Sequence, residues 1–212
     1  MKLAMLTFCA GEGYKSCMNY GLSSKEKYCK RHNIDFIIED DSADYFDGQR
    51  PLPWYKILMI KKYLPKYDYI FWSDADVLIK NYNFDIRKYI MSRQDVNFIF
   101  GEDWNYLNSG NFFIKNSLDS LNMLDLIYAQ EHVINNMWWE QAAIIILHKC
   151  HKIFANMCYI EKNSRIFNAF NTELLDKEGE ACGPYLYQEG DFLIHYPGIT
   201  PHEVHQLMKK DF

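Results

Sequence analysis

Hydrophobic positions along the chain come in short unbroken runs, separated by stretches with helical spacing. "KLAMLTFC" (2–9) is an apolar run that meets "AGEG" at once, which predicts a strand ending in a glycine-containing loop. Residues 14–32 read as a helix, polar outside, with Met18, Leu22 and Tyr28 turned inward. "IDFIIED" (34–40) predicts a second strand, and "DSADYFDGQRPLP" (41–53) is a loop by composition. In "WYKILMIKKYL" (54–64), Ile57, Ile60 and Leu64 recur at helical spacing, and Pro65 stops the helix. "YIFWS" (69–73) is the third strand. Farther on, 96–103, 108–116, 157–161 and 191–198 read as strands, and 117–130 and 137–149 as helices. The tail "TPHEVHQLMKKDF" reads as polar chain packed back over the surface.

Strand, helix, strand, helix, strand in the first 75 residues implies parallel strands joined by right-handed crossovers. The expectation is an α/β fold with a mostly parallel central sheet, one Rossmann-like domain over 1–212. Ligands in such sheets bind beyond the carboxyl ends of the strands. The loop after Phe8 lies at such an end, and so does "SDAD" (73–76).

Composition narrows the function. With 212 residues and 49% hydrophobic content, the chain can bury one sizeable core. Aromatic residues reach 17%, most simply the mark of a large aromatic core. The formal net charge is −5 and no basic block of five residues occurs, which argues against nucleic acid as a partner. A phosphate-bearing substrate stays open if a metal supplies the positive charge. Six cysteines without a C-x-x-C pair read as reduced, mostly buried thiols. No Asn-x-Ser/Thr sequon, signal peptide or long apolar run occurs, so the expectation is a cytoplasmic protein that spans no membrane.

Asp74 and Asp76 carry the sharpest chemistry. Unpaired carboxylates at i and i+2 repel, and one pKa rises. A divalent cation removes that conflict, and hard oxygen ligands suit Mg²⁺ or Mn²⁺. A pair of solvated loop aspartates is the bland alternative, but "YIFWS" before and "VLI" after are too apolar for an ordinary surface loop. Phosphatases with a nucleophilic Asp-x-Asp are a second alternative. Their pattern continues with Thr or Val two residues after the second Asp, where this chain has Leu78.

Five ordered blocks extend the pattern: Trp54-x-Lys56; Trp72 leading into Asp74-Ala75-Asp76; Asn108-Ser109-Gly110; Glu140-Gln141; and His195-x-x-Gly198. Together they resemble GT-A-fold, nucleotide-sugar-dependent glycosyltransferases. The family with yeast α-galactosyl- and mannosyltransferases and plant xyloglucan xylosyltransferases is the most similar. Small glycosyltransferase domains of large algal viruses are similar more loosely. The resemblance implies a metal-dependent transferase taking a sugar from a nucleotide diphosphate, a UDP-sugar above all, to a glycan or other hydroxyl acceptor. It implies a nucleotide-sugar half (1–107) and an acceptor-side half (108–212).

In such enzymes Thr7, Phe8, Cys9 and Tyr14 would hold the nucleobase, and Lys56 would reach the nucleotide or its phosphates. Asp74, with Ala75 beside it, would meet ribose, sugar or metal. Asp76 and His195 would ligate the metal, a mixed O/N set that favours Mn²⁺. Asn108, Ser109 and Gly110 would hold the donor sugar, and Trp138-Trp139 would stack on sugar faces. Glu140 would bind sugar hydroxyls. Gln141 would lie beneath the anomeric carbon, which implies retention of configuration, with Glu140 as base the inverting alternative. One departure stands out: the lysine expected after Gly198 is missing, leaving the diphosphate to Thr200, His202, His205 or Lys209. A non-catalytic sugar-nucleotide-binding protein would fit the same residues.

Overall fold

The computed structural model describes residues 1–174 and 179–212. The chain runs β1 (Leu3–Phe8), α1 (Glu12–Cys17), α2 (Asn19–His32), β2 (Asp35–Glu39), α3 (Tyr55–Tyr63), β3 (Tyr69–Ser73), β4 (Val77–Ile79) and α4 (Ile86–Met91). It continues with β5 (Phe98–Gly101), β6 (Asn108–Lys115), α5 (Leu118–Tyr128), α6 (Trp139–Cys150), α7 (Lys152–Met157), β7 (Cys158–Glu161), β8 (Leu193–His195) and α8 (Pro201–Asp211). Six strands form one sheet in the order β2–β1–β3–β6–β5–β7. β2, β1, β3, β5 and β7 all point the same way, and β6 runs against them. The expected mostly parallel α/β architecture is what forms.

The uninterrupted apolar runs are explained by burial on both faces. Successive residues of β3 part company: Ile70 and Trp72 join a core with α3, α5 and α6, while Tyr69 and Phe71 join one with α2 and α4. β1 divides in the same way, Ala4 and Leu6 against Leu3 and Met5. β6 sends Phe112 and Ile114 to the first core and Phe113 to the second.

Because β6 is antiparallel, its first residues, Asn108 to Gly110, stand at the same sheet edge as the last residues of β1 and β3. That is how Asn-Ser-Gly and Asp-x-Asp come to share a crevice. A second, two-stranded sheet finishes the arrangement. β4 pairs antiparallel with β8, with Val77 opposite His195 and Ile79 opposite Leu193. The Tyr196 amide also donates to the Asp76 carbonyl at 3.0 Å.

Two expectations change, and two short helices are added. The stretch 14–32 is two helices, broken at Met18, and the face of α2 turned inward carries Gly21, Ser24, Lys25, Tyr28 and Cys29. Leu22 is only half-buried. The tail is helical: Thr200 caps α8, Glu203 closes a capping box, and Val204 and Met208 are buried. The short helices α4 and α7 carry too few residues to leave a periodic signal.

Among the described residues no helix is long and apolar enough to cross a membrane. None of the six cysteines is in a disulfide.

Candidate active site

A cleft of about 700 Å³ opens at the carboxyl edge of the sheet. Along it lie Phe8 and Tyr14 on the β1 side, Lys56 and Asp74–Asp76 from α3 and the β3 end, Asn108–Gly110 from β6, and Asp103–Asn105 beyond β5. Met137 to Gln141, at the start of α6, form its rim, and His195 and Gly198 close it.

Asp74 is fixed by its neighbours. The Trp72 indole donates to Oδ1 at 2.6 Å, and the Asp74 amide donates to the Gly110 carbonyl at 2.8 Å. Lys56 Nζ stands 3.1 Å from Asp74 Oδ1, 2.8 Å from Glu140 Oε1 and 3.0 Å from the Ser109 carbonyl. Those contacts use all three of its protons. Burial disfavours the Lys56 charge, but Asp74 and Glu140 outweigh it and hold the ammonium above its usual range. Burial pushes the Glu140 carboxyl up, and Lys56 offsets only part of that rise. Two carboxylates share one cation here, and the more deeply buried one bears the cost. Glu140 Oε2 finds no protein partner.

Asp76 and His195 meet through the β4–β8 pairing. Their orientation follows from one backbone amide. Gly110 N–H can only donate, and it donates to Asn108 Oδ1 at 2.8 Å. Asn168 Nδ2 donates to that same oxygen at 3.1 Å. The other end of Asn168 is therefore its carbonyl oxygen, which accepts from Asn111 Nδ2 at 2.7 Å and lies 3.1 Å from His195 Nδ1. His195 Nδ1 thus donates to Asn168, and Nε2 is the ring atom turned toward Asp76 Oδ1, 3.6 Å away. With Nδ1 committed to Asn168, Nε2 is the ring nitrogen left for a cation shared with the carboxylates. Atoms of Asp74, Asp76 and His195 all lie within 4.8 Å of one another. The set fits a divalent metal bound by oxygen and nitrogen, with an Asn fixing the imidazole tautomer.

Burial and charge act together on Asp76 and on Lys25 behind it. Burial disfavours the charge of Asp76, yet His195 and Lys25 hold its carboxyl below the usual carboxylate range. Burial pushes Lys25 down to about 8, against the upward pull of Asp76 and Asp74.

Of the residues singled out in sequence, Phe8, Tyr14, Lys56, Asp74, Ala75, Asp76, Asn108, Ser109, Gly110, Glu140, Gln141, His195 and Gly198 line one cleft. Thr7 and Cys9 flank Phe8 but are buried, and burial pushes the Cys9 thiol up to about 11. His202 does not line the cleft, nor do Thr200, His205 or Lys209. Thr200 is engaged with Glu203, and His205 Nδ1 lies 3.2 Å from the Cys17 carbonyl. Lys56 lines the cleft with its three protons directed to Asp74, Glu140 and the Ser109 carbonyl. Asn168 and Lys25 were not foreseen: "RIFNAFN" has no spacing signal, and Lys25 sits in a polar stretch that reads as solvated helix.

Sheet order, edge cleft and paired carboxylates define the GT-A class of glycosyltransferase fold. A glycosyltransferase involved in the glycosylation of the major capsid of PBCV-1 superposes with a TM-score of 0.75 at 16% identity, over 99% of this chain and 100% of that one. A galactosyltransferase solved with donor and acceptor sugar analogs superposes at 0.59 with 13% identity, over 97% of this chain and 95% of that one. In sequence, the galactosyl transferase GMA12/MNN10 family matches residues 3–97 and 91–206, and the chain belongs to that family.

An uncharacterized alpha-1,2-galactosyltransferase of Schizosaccharomyces pombe is 26% identical over 217 residues, 84% of this chain and 55% of that protein. Xyloglucan 6-xylosyltransferase 1 of Arabidopsis thaliana is 25% identical over 118 residues, 49% of this chain and 24% of that protein. The chain spans about half the length of the curated galactosyltransferases it matches.

Proposed function

We propose that the chain is a metal-dependent glycosyltransferase that moves a sugar from a nucleotide diphosphate, UDP-linked, to a hydroxyl of a glycan acceptor. The observation that carries this reading is the convergence of Asp74, Asp76 and His195 at the mouth of one cleft. Mn²⁺ suits that donor set better than Mg²⁺. When bound, it would supply positive charge to the departing diphosphate.

The chain's own residues do the positioning. Sheet order serves as a ruler along the cleft, with strands about 4.8 Å apart. The β1 end offers the Phe8 and Tyr14 rings to a base. The middle offers Asp74, Asn108 and Glu140 to the sugar. The uncommitted Oε2 of Glu140 is the acceptor atom for a sugar hydroxyl, since a buried carboxylate oxygen without a partner is costly. The β5 end, with Trp104, and the rim at the start of α6, with Trp138 and Trp139, are left for the acceptor. Asp74 is an unsuitable phosphatase nucleophile, because Trp72 and Lys56 already hold its carboxylate.

Incubation with a panel of nucleotide sugars and Mn²⁺ tests the proposal. A transferase hydrolyses its own donor slowly and transfers it when an acceptor is added. A binding protein only raises its melting temperature, and a phosphatase releases inorganic phosphate. Either of the last two results overturns the reading.

A further inference from the structure

Among the described residues Lys25 is the deepest charged group that the proposed chemistry does not use. It is fully buried in the middle of α2, and among the described residues it forms no salt bridge. Its partners are main-chain oxygens: Nζ donates to the Asp74 carbonyl at 2.7 Å, the Val77 carbonyl at 3.0 Å and the Ala75 carbonyl at 3.4 Å. An ammonium has three protons, and all three are spent on one turn of chain.

Two neighbours on the same helix face act on that turn. Gly21 lies one helical turn before Lys25, and a Cβ there would stand 2.7 Å from the Val77 oxygen and 2.8 Å from the Ala75 oxygen. Only glycine lets the helix come this close. Ser24 Oγ donates to the Gly21 carbonyl at 2.7 Å and accepts from the Ile79 amide at 3.0 Å, so the end of β4 is tied to α2 as well. In a pleated strand successive carbonyls point opposite ways. Here the carbonyls of Asp74 and Ala75 converge on one nitrogen. The strand is broken at that point, and a broken strand is what lets carboxylates at i and i+2 join one site.

We propose that Lys25 is a positioning residue, an internal cationic strut that holds the Asp74–Val77 turn so that the Asp74 and Asp76 carboxylates meet His195 around a common divalent cation. The proposal rests on the metal-site reading above. Without the ammonium, three buried carbonyls lose their donor, and the turn relaxes toward an extended strand. The ligand atoms then separate, although none of them has been changed. Lys25 itself touches neither metal nor substrate.

The test is a titration of Mn²⁺ alone into the purified chain, read by calorimetry or by the electron paramagnetic resonance of free Mn²⁺, well below every variant's melting temperature. Lys25→Met keeps the length and removes the donors, and it is expected to bind Mn²⁺ at least tenfold more weakly. Gly21→Ala pushes the same turn with Lys25 intact and is expected to weaken binding in the same direction. It decides the matter if Lys25→Met does not fold. Leu124→Ala, a core change away from the turn, lowers the melting temperature but should leave Mn²⁺ affinity unchanged.

Lys25→Met binding Mn²⁺ within twofold of wild type overturns the strut. So does Leu124→Ala losing as much affinity as Lys25→Met, because loss of stability alone would then explain the effect. A wild-type chain that takes up no Mn²⁺ overturns both the strut and the metal reading.

Discussion

Gly110→Ala is the smallest change that should dismantle the site. Gly110 lies in β6 with no positive φ, so its backbone tolerates alanine, and the whole effect is steric. A Cβ there would stand 2.2 Å from His195 Cε1, 2.9 Å from Nε2 and 3.0 Å from Asn108 Oδ1. Carbon atoms in contact prefer about 3.5–4.0 Å, so the ring must retreat by more than about 1 Å. It has nowhere easy to go. His195 is 2% exposed, its ring faces that of Phe170 with centroids 5.3 Å apart, and its Nδ1 is held by Asn168. Metal–ligand distances tolerate only about ±0.2 Å, so a shift of that size removes a ligand.

Mn²⁺ affinity should fall roughly 10–100-fold, the range found when a ligand loses its orientation. Overpacking should also lower stability by about 1–3 kcal/mol. Calorimetric titration with Mn²⁺ and a urea melt measure the two effects. Gly13→Ala is the control, since nothing lies within 4 Å of its Cβ. Wild-type Mn²⁺ affinity in Gly110→Ala would refute the assignment of His195 as a ligand.

The other predictions are brief. Asp76→Ala should lose Mn²⁺-dependent nucleotide binding with the fold intact, and EDTA should abolish sugar transfer; full activity in EDTA would sink the metal reading. Lys56→Met leaves Glu140 and Asp74 without their shared cation and should cost about 3–5 kcal/mol. That loss should depend on pH. The Glu140 carboxyl, already raised by burial, rises further, and a raised carboxyl contributes stability below its unfolded pKa that is lost as pH climbs through the folded one. The variant should therefore fall further behind wild type at pH 8 than at pH 5 in urea melts, and an equal deficit at both would contradict the shared-cation picture. The transferred sugar should keep the donor's anomeric configuration by proton NMR; an inverted product would promote Glu140 to general base.

The legible parts of the sequence were those with local causes. β1 and β3 are buried on both faces, so each reads as an unbroken apolar run, and the Asp-x-Asp at the end of β3 stood out against it. The five motif blocks were visible as text, yet their convergence was not, because the antiparallel turn of β6 and the β4–β8 pairing are long-range facts. Lys56 and Lys25 show the limit plainly. Each lies in a polar or mixed helical stretch, and nothing local separates them from the solvated Lys61. Only tertiary packing reveals that one shares its charge between two carboxylates and the other spends its protons on a turn. The tail helix was missed although a local signal was there: Thr200-Pro201-x-Glu203 followed by Val204 and Met208 is a capping signal before an i, i+4 apolar pair.

The stereochemical proposal turns on Glu140 and Gln141, adjacent in the first turn of α6. An inverting enzyme needs a carboxylate free to take the acceptor's proton. The burial that raises the Glu140 carboxyl would help it do so, but its Oε1 already accepts from Lys56 and from Ser109 Oγ. Proton uptake would weaken that pairing and leave Lys56 to Asp74. Gln141 is no base. Its Oε1 accepts from the Ser109 amide at 2.9 Å, and because that partner can only donate, the amide orientation is fixed. What Gln141 leaves uncommitted is its Nε2, a donor, together with the remaining acceptor capacity of Oε1. Negative charge near the sugar is therefore concentrated on Asp74 and Glu140, and Gln141 holds the Asn-Ser-Gly backbone against them. With Lys56 on Asp74 and on Glu140 Oε1, and Glu140 Oε2 assigned to a sugar hydroxyl, the arrangement favours same-face displacement, in which the leaving diphosphate itself receives the acceptor's proton.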